Sequence, residues 1–196
     1  MRFSVIIPAY NAADHIKKTL HSVKQQTFTD YELIVVCDSC TDDTAEIALG
    51  YADKVICVKE HHSGFARNRG LDAAEGEYVL FMDDDDWWLH EYVFDQLNTR
   101  LIEENSPDIL YYSFIIKGLR YHDCTGEYKH LPAFWNKAWK REFVQDIRCT
   151  GEDMYESDVE FQDKAFAKNP RIVEWNMPMY YYNYMRKDSM SDKRGH

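Results

Sequence analysis

The feature that most constrains this chain is the passage from Glu77 to Trp88. Tyr78-Val79-Leu80-Phe81-Met82 is an apolar, β-favouring run, and it stops at four consecutive carboxylates, Asp83-Asp84-Asp85-Asp86. Such a run reads as a strand buried on both faces of a parallel sheet. In open α/β sheets, ligands collect just beyond the carboxyl ends of the strands. Four acids crowded there repel one another and resist desolvation unless a cation or hydrogen-bond donors face them. Mg2+ and Mn2+ are hard cations that prefer carboxylate oxygen and leave room for substrate phosphates. The competing reading is a solvated acidic turn that caps the next helix, because Asp is favoured at N-caps and in first turns.

The chain around this stretch alternates strand and helix. Phe3–Ile7 reads as a strand ended by Pro8, and Ala12–Gln26 as an amphipathic helix with Ile16, Leu20 and Val23 at helical spacing. Tyr31–Cys37 is a second strand that ends at Asp38, with a helix from Thr44 to Leu49. Lys54–Val58, a helix over Ser63–Ala74, the strand Tyr78–Met82 and a helix over Leu89–Glu104 complete the first 105 residues. Four such alternations predict a parallel sheet with helices on both faces. Its ligand-facing edge then carries Pro8-Ala9-Tyr10-Asn11, Asp38, Glu60-His61-His62 and the acid run.

After Pro107 the pattern changes. Asp108–Lys117 reads as a strand, Leu119–Lys129 as an irregular one, and Ala133–Val144 as short helical turns. Glu156–Lys168 is consistent with an amphipathic helix, and Arg171–Glu174 and Met179–Tyr184 with late strands. No repeat, low-complexity segment or long linker divides the chain, so residues 1–196 are expected to form one domain.

Composition excludes several classes. A net charge of −11 argues against a nucleic-acid partner, whose phosphates need clustered Lys and Arg. No Gly-x-Gly-x-x-Gly follows the first strand, which disfavours a hydride-transfer enzyme. Five cysteines at irregular spacing read as reduced thiols, and no secretory leader or membrane span is visible, so a cytoplasmic location is expected. Cys37-Asp38-Ser39-Cys40 has redox-motif spacing but closes a strand. His61-His62 lacks matching metal ligands.

Four segments in order resemble one family. They are Ser4-Val5-Ile6-Ile7-Pro8-Ala9-Tyr10-Asn11, Glu32 through Asp42, Gly64-Phe65-Ala66-Arg67-Asn68-Arg69-Gly70, and Gly76 through Asp86. Together they resemble the family 2 glycosyltransferases, with Ser39-Cys40 standing in place of the usual Gly-Ser. The resemblance covers most of the chain. It implies an α/β GT-A fold: a Rossmann-like, mostly parallel central sheet flanked by helices, with a small antiparallel addition in the second half. Residues 1–105 would be the nucleotide-sugar-binding half and 106–196 the acceptor-binding half.

The same resemblance implies the chemistry. The activity would be inverting transfer of a sugar from a UDP- or dTDP-sugar to a hydroxyl of a glycan or other acceptor, with Mn2+ or Mg2+. Asp85, helped by Asp83, would hold the metal, Asp84 would lie near the ribose, and Asp86 would serve as no more than a helix cap. Asp38 would accept from the pyrimidine N–H, or else cap the following helix. Pro8, Ala9 and Tyr10 would flank the base, Arg67 would pair with a phosphate or with Asp83, and Arg186 would close over the diphosphate. Asp158 is the candidate general base, with Phe161 three residues on, and Asp153, beside Glu152, is the alternative. Trp135, Trp139 and Tyr180–Tyr182 form an aromatic group without an assigned role.

Two other functions compete. One is a non-catalytic nucleotide-sugar-binding module of a larger synthase. The other is a sugar-phosphate nucleotidyltransferase, although Pro8-Ala9-Tyr10-Asn11 lacks the Gly-rich basic loop that a triphosphate requires. The chain is short for the family, which leaves room for peripheral membrane association through a further segment or partner.

Overall fold

A computed structural model describes residues 1–118, 120–126, 129–151 and 156–184. Its centre is a nine-stranded sheet in the order β3-β2-β1-β4-β8-β6-β9-β5, with β7 on β6. The first four strands are β1 (Phe3–Ala9), β2 (Tyr31–Asp38), β3 (Lys54–Val58) and β4 (Tyr78–Phe81). They pair in parallel. The later strands are β5 (Trp87–Trp88), β6 (Ile109–Ile116), β7 (Arg120–His122), β8 (Lys137–Lys140) and β9 (Ile172–Tyr182). β8 runs antiparallel to both β4 and β6, which turns β6 and β9 back into the direction of the first four. The mostly parallel sheet is therefore as expected, but the second half adds a parallel pair as well as antiparallel strands.

Strand alternation divides the core into two layers. Phe3, Val5, Ile7 and Ala9 of β1 face one cluster and Ile6 the other; Leu33, Val35 and Cys37 of β2 oppose Ile34 and Val36 in the same way. The first layer is closed by α1 (Ile16–Lys24), α2 (Thr44–Leu49) and α4 (Val93–Glu103). In α1 the residues Ile16, Leu20 and Val23 recur at the spacing that lines one helix face, and all three are buried. The second layer is closed by α3 (Ser63–Ala73), α5 (Arg141–Val144) and α6 (Ser157–Phe166). Helix α3 lies close to the sheet, because a Cβ on Gly70 would sit 2.3 Å from Ile6 Cγ2. Only glycine permits that approach.

Four local expectations need correction. Pro8 does not end β1, which continues to Ala9 in register with Cys37. Its missing N–H is harmless there, since pairing with β4 has already ended at Ile6. The helix expected over Leu89–Glu104 begins only at Val93, because Trp87 and Trp88 form β5 against Tyr181 and Tyr180. The segment expected as helical turns contains β8, whose alternation sends Lys137 and Trp139 to one layer and Ala138 to the other. Finally, the two late strands are one. Register shifts opposite Tyr112–Phe114 mark a bulge at Asn176-Met177, and Pro178 is tolerated beside it.

Candidate active site

The C-terminal ends of β1, β2, β3 and β4 meet at one edge, where the chain leaves the first three strands through residues in the left-handed region. These are Asn11 (φ 46°), Ser39 (φ 57°) and His61 (φ 53°). Non-glycine residues in that region carry backbone strain, and strain of this kind gathers where a site over-determines its loops.

Asp38 organises the β2 and β3 ends. Its Oδ1 accepts from the backbone N–H of Glu60 at 2.8 Å and of His61 at 3.0 Å, and from Ser39 Oγ at 2.9 Å. Its Oδ2 accepts from His62 N at 2.8 Å. Burial alone would push the carboxyl up, but these four donors hold it below the ordinary carboxylate range. Oδ2 carries a single bond and is the oxygen with room for a ligand N–H. Asp38 does not cap α2. Asp42 supplies the local contacts there, accepting from Thr44 N and Oγ1.

The acid run folds into a turn after β4, closed by Asp86 N donating to Asp83 O at 3.4 Å. The four carboxylates then take different environments. Asp83 Oδ1 accepts from Arg67 Nη2 at 2.7 Å. Its side chain keeps 31% of its surface, yet protein atoms crowd it enough that burial pushes its carboxyl up to about 6, against Arg67 and with Asp85 and Asp84 adding repulsion. Asp84 turns back onto the β1–α1 segment, accepting from Tyr10 N at 3.3 Å and lying 3.2 Å from His15 Nε2. Asp85 is half-buried at the turn.

Asp86 is fully buried, and its environment overturns the helix-cap expectation. Its Oδ2 accepts from Tyr180 Oη at 2.7 Å and its Oδ1 from Asn183 N at 2.8 Å. Burial, reinforced by Asp83 and Asp85, raises its carboxyl well above the ordinary range. Tyr180 Oη also accepts from Asp83 N at 3.1 Å, so one phenol ties the end of β9 to both ends of the acid turn. Asp86, Tyr180 and His15 were missed as site residues. The fourth acid and the tyrosine triplet were their only signals.

Arg67 projects from α3 over the Phe134 ring at 4.5 Å and is itself buried. Phe134 packs on Phe81 and Phe161, which also meets Trp139 edge-on. Phe161 lies three residues after Asp158, so this cluster seats α6 against the end of β4. A Cβ on Gly64 would lie 3.0 Å from Ser157 Cβ, which brings the starts of α3 and α6 together. Asp158 is half-exposed in the first turn of α6. It and Arg67 lie within electrostatic range of the same buried thiol, Cys149.

The remaining positions sort plainly. Pro8 and Ala9 are buried in β1, whereas Tyr10 is 62% exposed at the edge. Trp139 is core. Trp135 stacks on Tyr180 and Tyr182 with ring centroids 5.0 and 4.8 Å apart. Asp153 and Arg186 lie outside the described residues. Among the described residues no group of three His, Cys, Asp or Glu side chains forms a self-sufficient metal site, and no helix is long and apolar enough to cross a membrane. The acid turn nevertheless fits a hard divalent cation. It offers oxygen only, two of its carboxyls are raised by burial and mutual repulsion, and Arg67 pairs with Asp83.

A mostly parallel α/β sheet with an acidic turn after its fourth strand is the arrangement expected of a glycosyltransferase of the GT-A fold. Residues 4–173 match the family model described as Glycosyl transferase family 2, and the chain belongs to that family. It is 27% identical to the glycosyltransferase GlyA of Streptococcus pneumoniae serotype 4, over 97% of this chain and 31% of GlyA. It is 35% identical to the uncharacterized glycosyltransferase EpsJ of Bacillus subtilis, over 91% of this chain and 60% of EpsJ. The chain thus spans less than two thirds of either relative. Among solved structures it resembles S. aureus TarS 1-349 in complex with UDP, with TM-score 0.82 and 26% identity over 93% of this chain and 60% of that one. TarS is named as a poly(ribitol-phosphate) beta-N-acetylglucosaminyltransferase.

Proposed function

We infer that this chain transfers a sugar from a UDP- or dTDP-sugar to an acceptor hydroxyl, with inversion, and that it uses Mn2+ or Mg2+. Residues 1–105 hold the donor and 106–196 shape the acceptor side within one domain. The observation that carries this reading is the acid turn, which gathers four carboxylates, two of them raised by burial and mutual repulsion, at the same sheet edge as Asp38. Asp85 and Asp83 are the metal-holding residues. A cation bound there would offset the negative charge that develops on the leaving diphosphate.

The chain's own residues divide the remaining work. Asp38 Oδ2 accepts the imide N–H of a pyrimidine, and Tyr10 lies open beside it. The UDP complex of TarS supports a pyrimidine donor. Arg67 fixes Asp83, and Asp84 fixes the β1–α1 segment on which the base rests. Asp158 takes the acceptor proton as the acceptor oxygen attacks the anomeric carbon in a single displacement. The hydroxyl belongs to a glycan or other acceptor.

Calorimetric titration with UDP, dTDP and GDP, with and without Mn2+, tests the donor site. Pyrimidine diphosphates are expected to bind with metal and to lose that binding in Asp85→Ala. Binding indifferent to both metal and Asp85 would remove the acid turn from the mechanism. Asp158→Asn is expected to keep UDP affinity within about twofold and to lose turnover by about 10²-fold or more. An active Asp158→Asn variant would pass the base role to Asp153.

A further inference from the structure

Lys137 is wholly buried, and no carboxylate hydrogen-bonds to it among the described residues. Its Nζ donates to Leu131 O at 2.9 Å, Ala133 O at 2.5 Å and Gln162 Oε1 at 2.9 Å. It also lies 4.6 Å from the Tyr111 ring centre and 5.0 Å from that of Trp139. An ammonium has three N–H donors, and three oxygens meet them. A neutral amine would turn its lone pair toward one of those oxygens, so the charged form fits the cage. Burial pulls the group well below its ordinary range, and Asp158 opposes that pull.

A buried charge is costly to maintain, and a methionine could fill the same volume without the desolvation penalty. What the ammonium supplies is a link between two pieces of the site. On one side it holds the 131–133 turn, which leads directly into Phe134, the ring beneath Arg67. On the other it holds Gln162 of α6, which also accepts from Tyr111 Oη at 2.7 Å and donates to His130 O at 2.9 Å. Residues four apart share a helix face, so Gln162 lies one turn below Asp158. We propose that Lys137 is a positioning residue that locks α6 to the 131–134 turn, and so fixes Asp158 relative to the Arg67–Asp83 pair. This proposal rests on Asp158 being the base.

The test compares Lys137→Met, Lys137→Arg and Gln162→Leu in the full chain. The first readout is hydrogen exchange. Amides of α6 are expected to exchange at least about tenfold faster in Lys137→Met, while β1, β2 and β4 stay protected. Unchanged protection of α6 overturns the proposal without any substrate. The second readout is UDP release from UDP-glucose and UDP-N-acetylglucosamine in Mn2+. Lys137→Met is expected to lower kcat by about 10²-fold with the donor KM within threefold, since misplacement of about 1 Å carries a loss of that order. Lys137→Arg is expected to recover part of it.

The cycle with Asp158→Asn separates the two readings. If Lys137 acts through Asp158, the double variant is no slower than Asp158→Asn alone. An active Asp158→Asn defeats the base reading, whereas a dead Asp158→Asn beside a fully active Lys137→Met defeats the positioning role. Should Lys137→Met not fold, Gln162→Leu takes its place: it cuts the Lys137 link to α6, together with the Tyr111 and His130 bonds, and leaves the two carbonyl bonds. Wild-type exchange of α6 in that variant overturns the proposal.

Discussion

Asp38→Asn is the substitution whose consequences the structure specifies most fully. The amide keeps the shape of the carboxylate but only one of its acceptor oxygens. Seated at the Oδ1 position, that oxygen still meets Glu60 N, His61 N and Ser39 Oγ, and the new NH2 then faces His62 N–H. His62 is 9% exposed, so water has little access to the orphaned donor. Losing one charge-assisted bond and leaving a buried N–H unpaired costs about 1.5–3 kcal/mol, and the other three bonds weaken as their acceptor becomes neutral. The sum is about 3 kcal/mol, a large share of the ~5–15 kcal/mol typical of a folded domain. For a chain of this size that corresponds to a loss of roughly 6–12 °C in Tm.

Urea unfolding followed by circular dichroism measures this directly, as a lower midpoint at unchanged slope. The pH dependence adds an independent check. Asp38 is held below its ordinary range in the folded state, so its contribution is fully present above the unfolded-state value of about 3.9 and is lost as pH falls through the folded value. The stability difference between wild type and Asp38→Asn should therefore be constant near neutrality and narrow in acid. A difference below about 0.5 kcal/mol at pH 7 would refute the reasoning, as would a gap that is no smaller once the carboxyl is protonated.

Two further outcomes follow from the acid turn. Asp83 titrates near 6, and a proton on it competes with a metal ion, so UDP affinity in Mn2+ should strengthen as pH rises through that value. A flat profile across the interval would separate Asp83 from metal binding. In the ligand-free protein the sign is opposite: with a raised folded-state value, Asp83 contributes stability that is present below about 3.9 and lost as pH rises through about 6. A thermal-shift series at fixed ionic strength should therefore show a decline over that window, steepest without metal. Tyr180→Phe removes the donor to Asp86 and the acceptor for Asp83 N, and is expected to cost about 1.5–3 kcal/mol in urea unfolding.

The first half of the fold was legible because its signals are local and redundant. β1, β2 and β4 are apolar runs buried on both faces, α1 and α4 each carry an apolar stripe, and chain order follows the βα alternation. Helix α2 and strand β3 fall on their expected boundaries for that reason. The second half resists the same reading because its strands are defined by partners distant in sequence. Nothing within Lys137–Lys140 says strand; the segment is extended because β4 and β6 offer open edges on either side of it. Trp87–Trp88 is a strand only by virtue of Tyr180–Tyr181, more than ninety positions later. Pro178, which locally signals a break, is absorbed by a bulge.

The candidate site shows the same division at the level of single residues. Asp38 and Asp83 could be singled out because motif and strand end coincide, and Arg67, on α3, by its motif alone; the structure pairs Arg67 with Asp83. Their environments could not be read. Four adjacent aspartates are equivalent in sequence, yet one pairs with an arginine, one anchors the β1–α1 segment and one is sealed beneath a tyrosine from β9. Composition assigns all four a charge, whereas the structure raises two of them by burial and mutual repulsion. Lys137 is the extreme case. In sequence it is a lysine between an asparagine and an alanine, the residue type most often left in water. Its burial is created by Trp139 on the same strand together with Tyr111 of β6 and Gln162 of α6, two distant places in the chain. A buried cation therefore acts as a long-range contact that periodicity has no means of registering, and its value to the site lies in the geometry it enforces between α6 and the 131–134 turn.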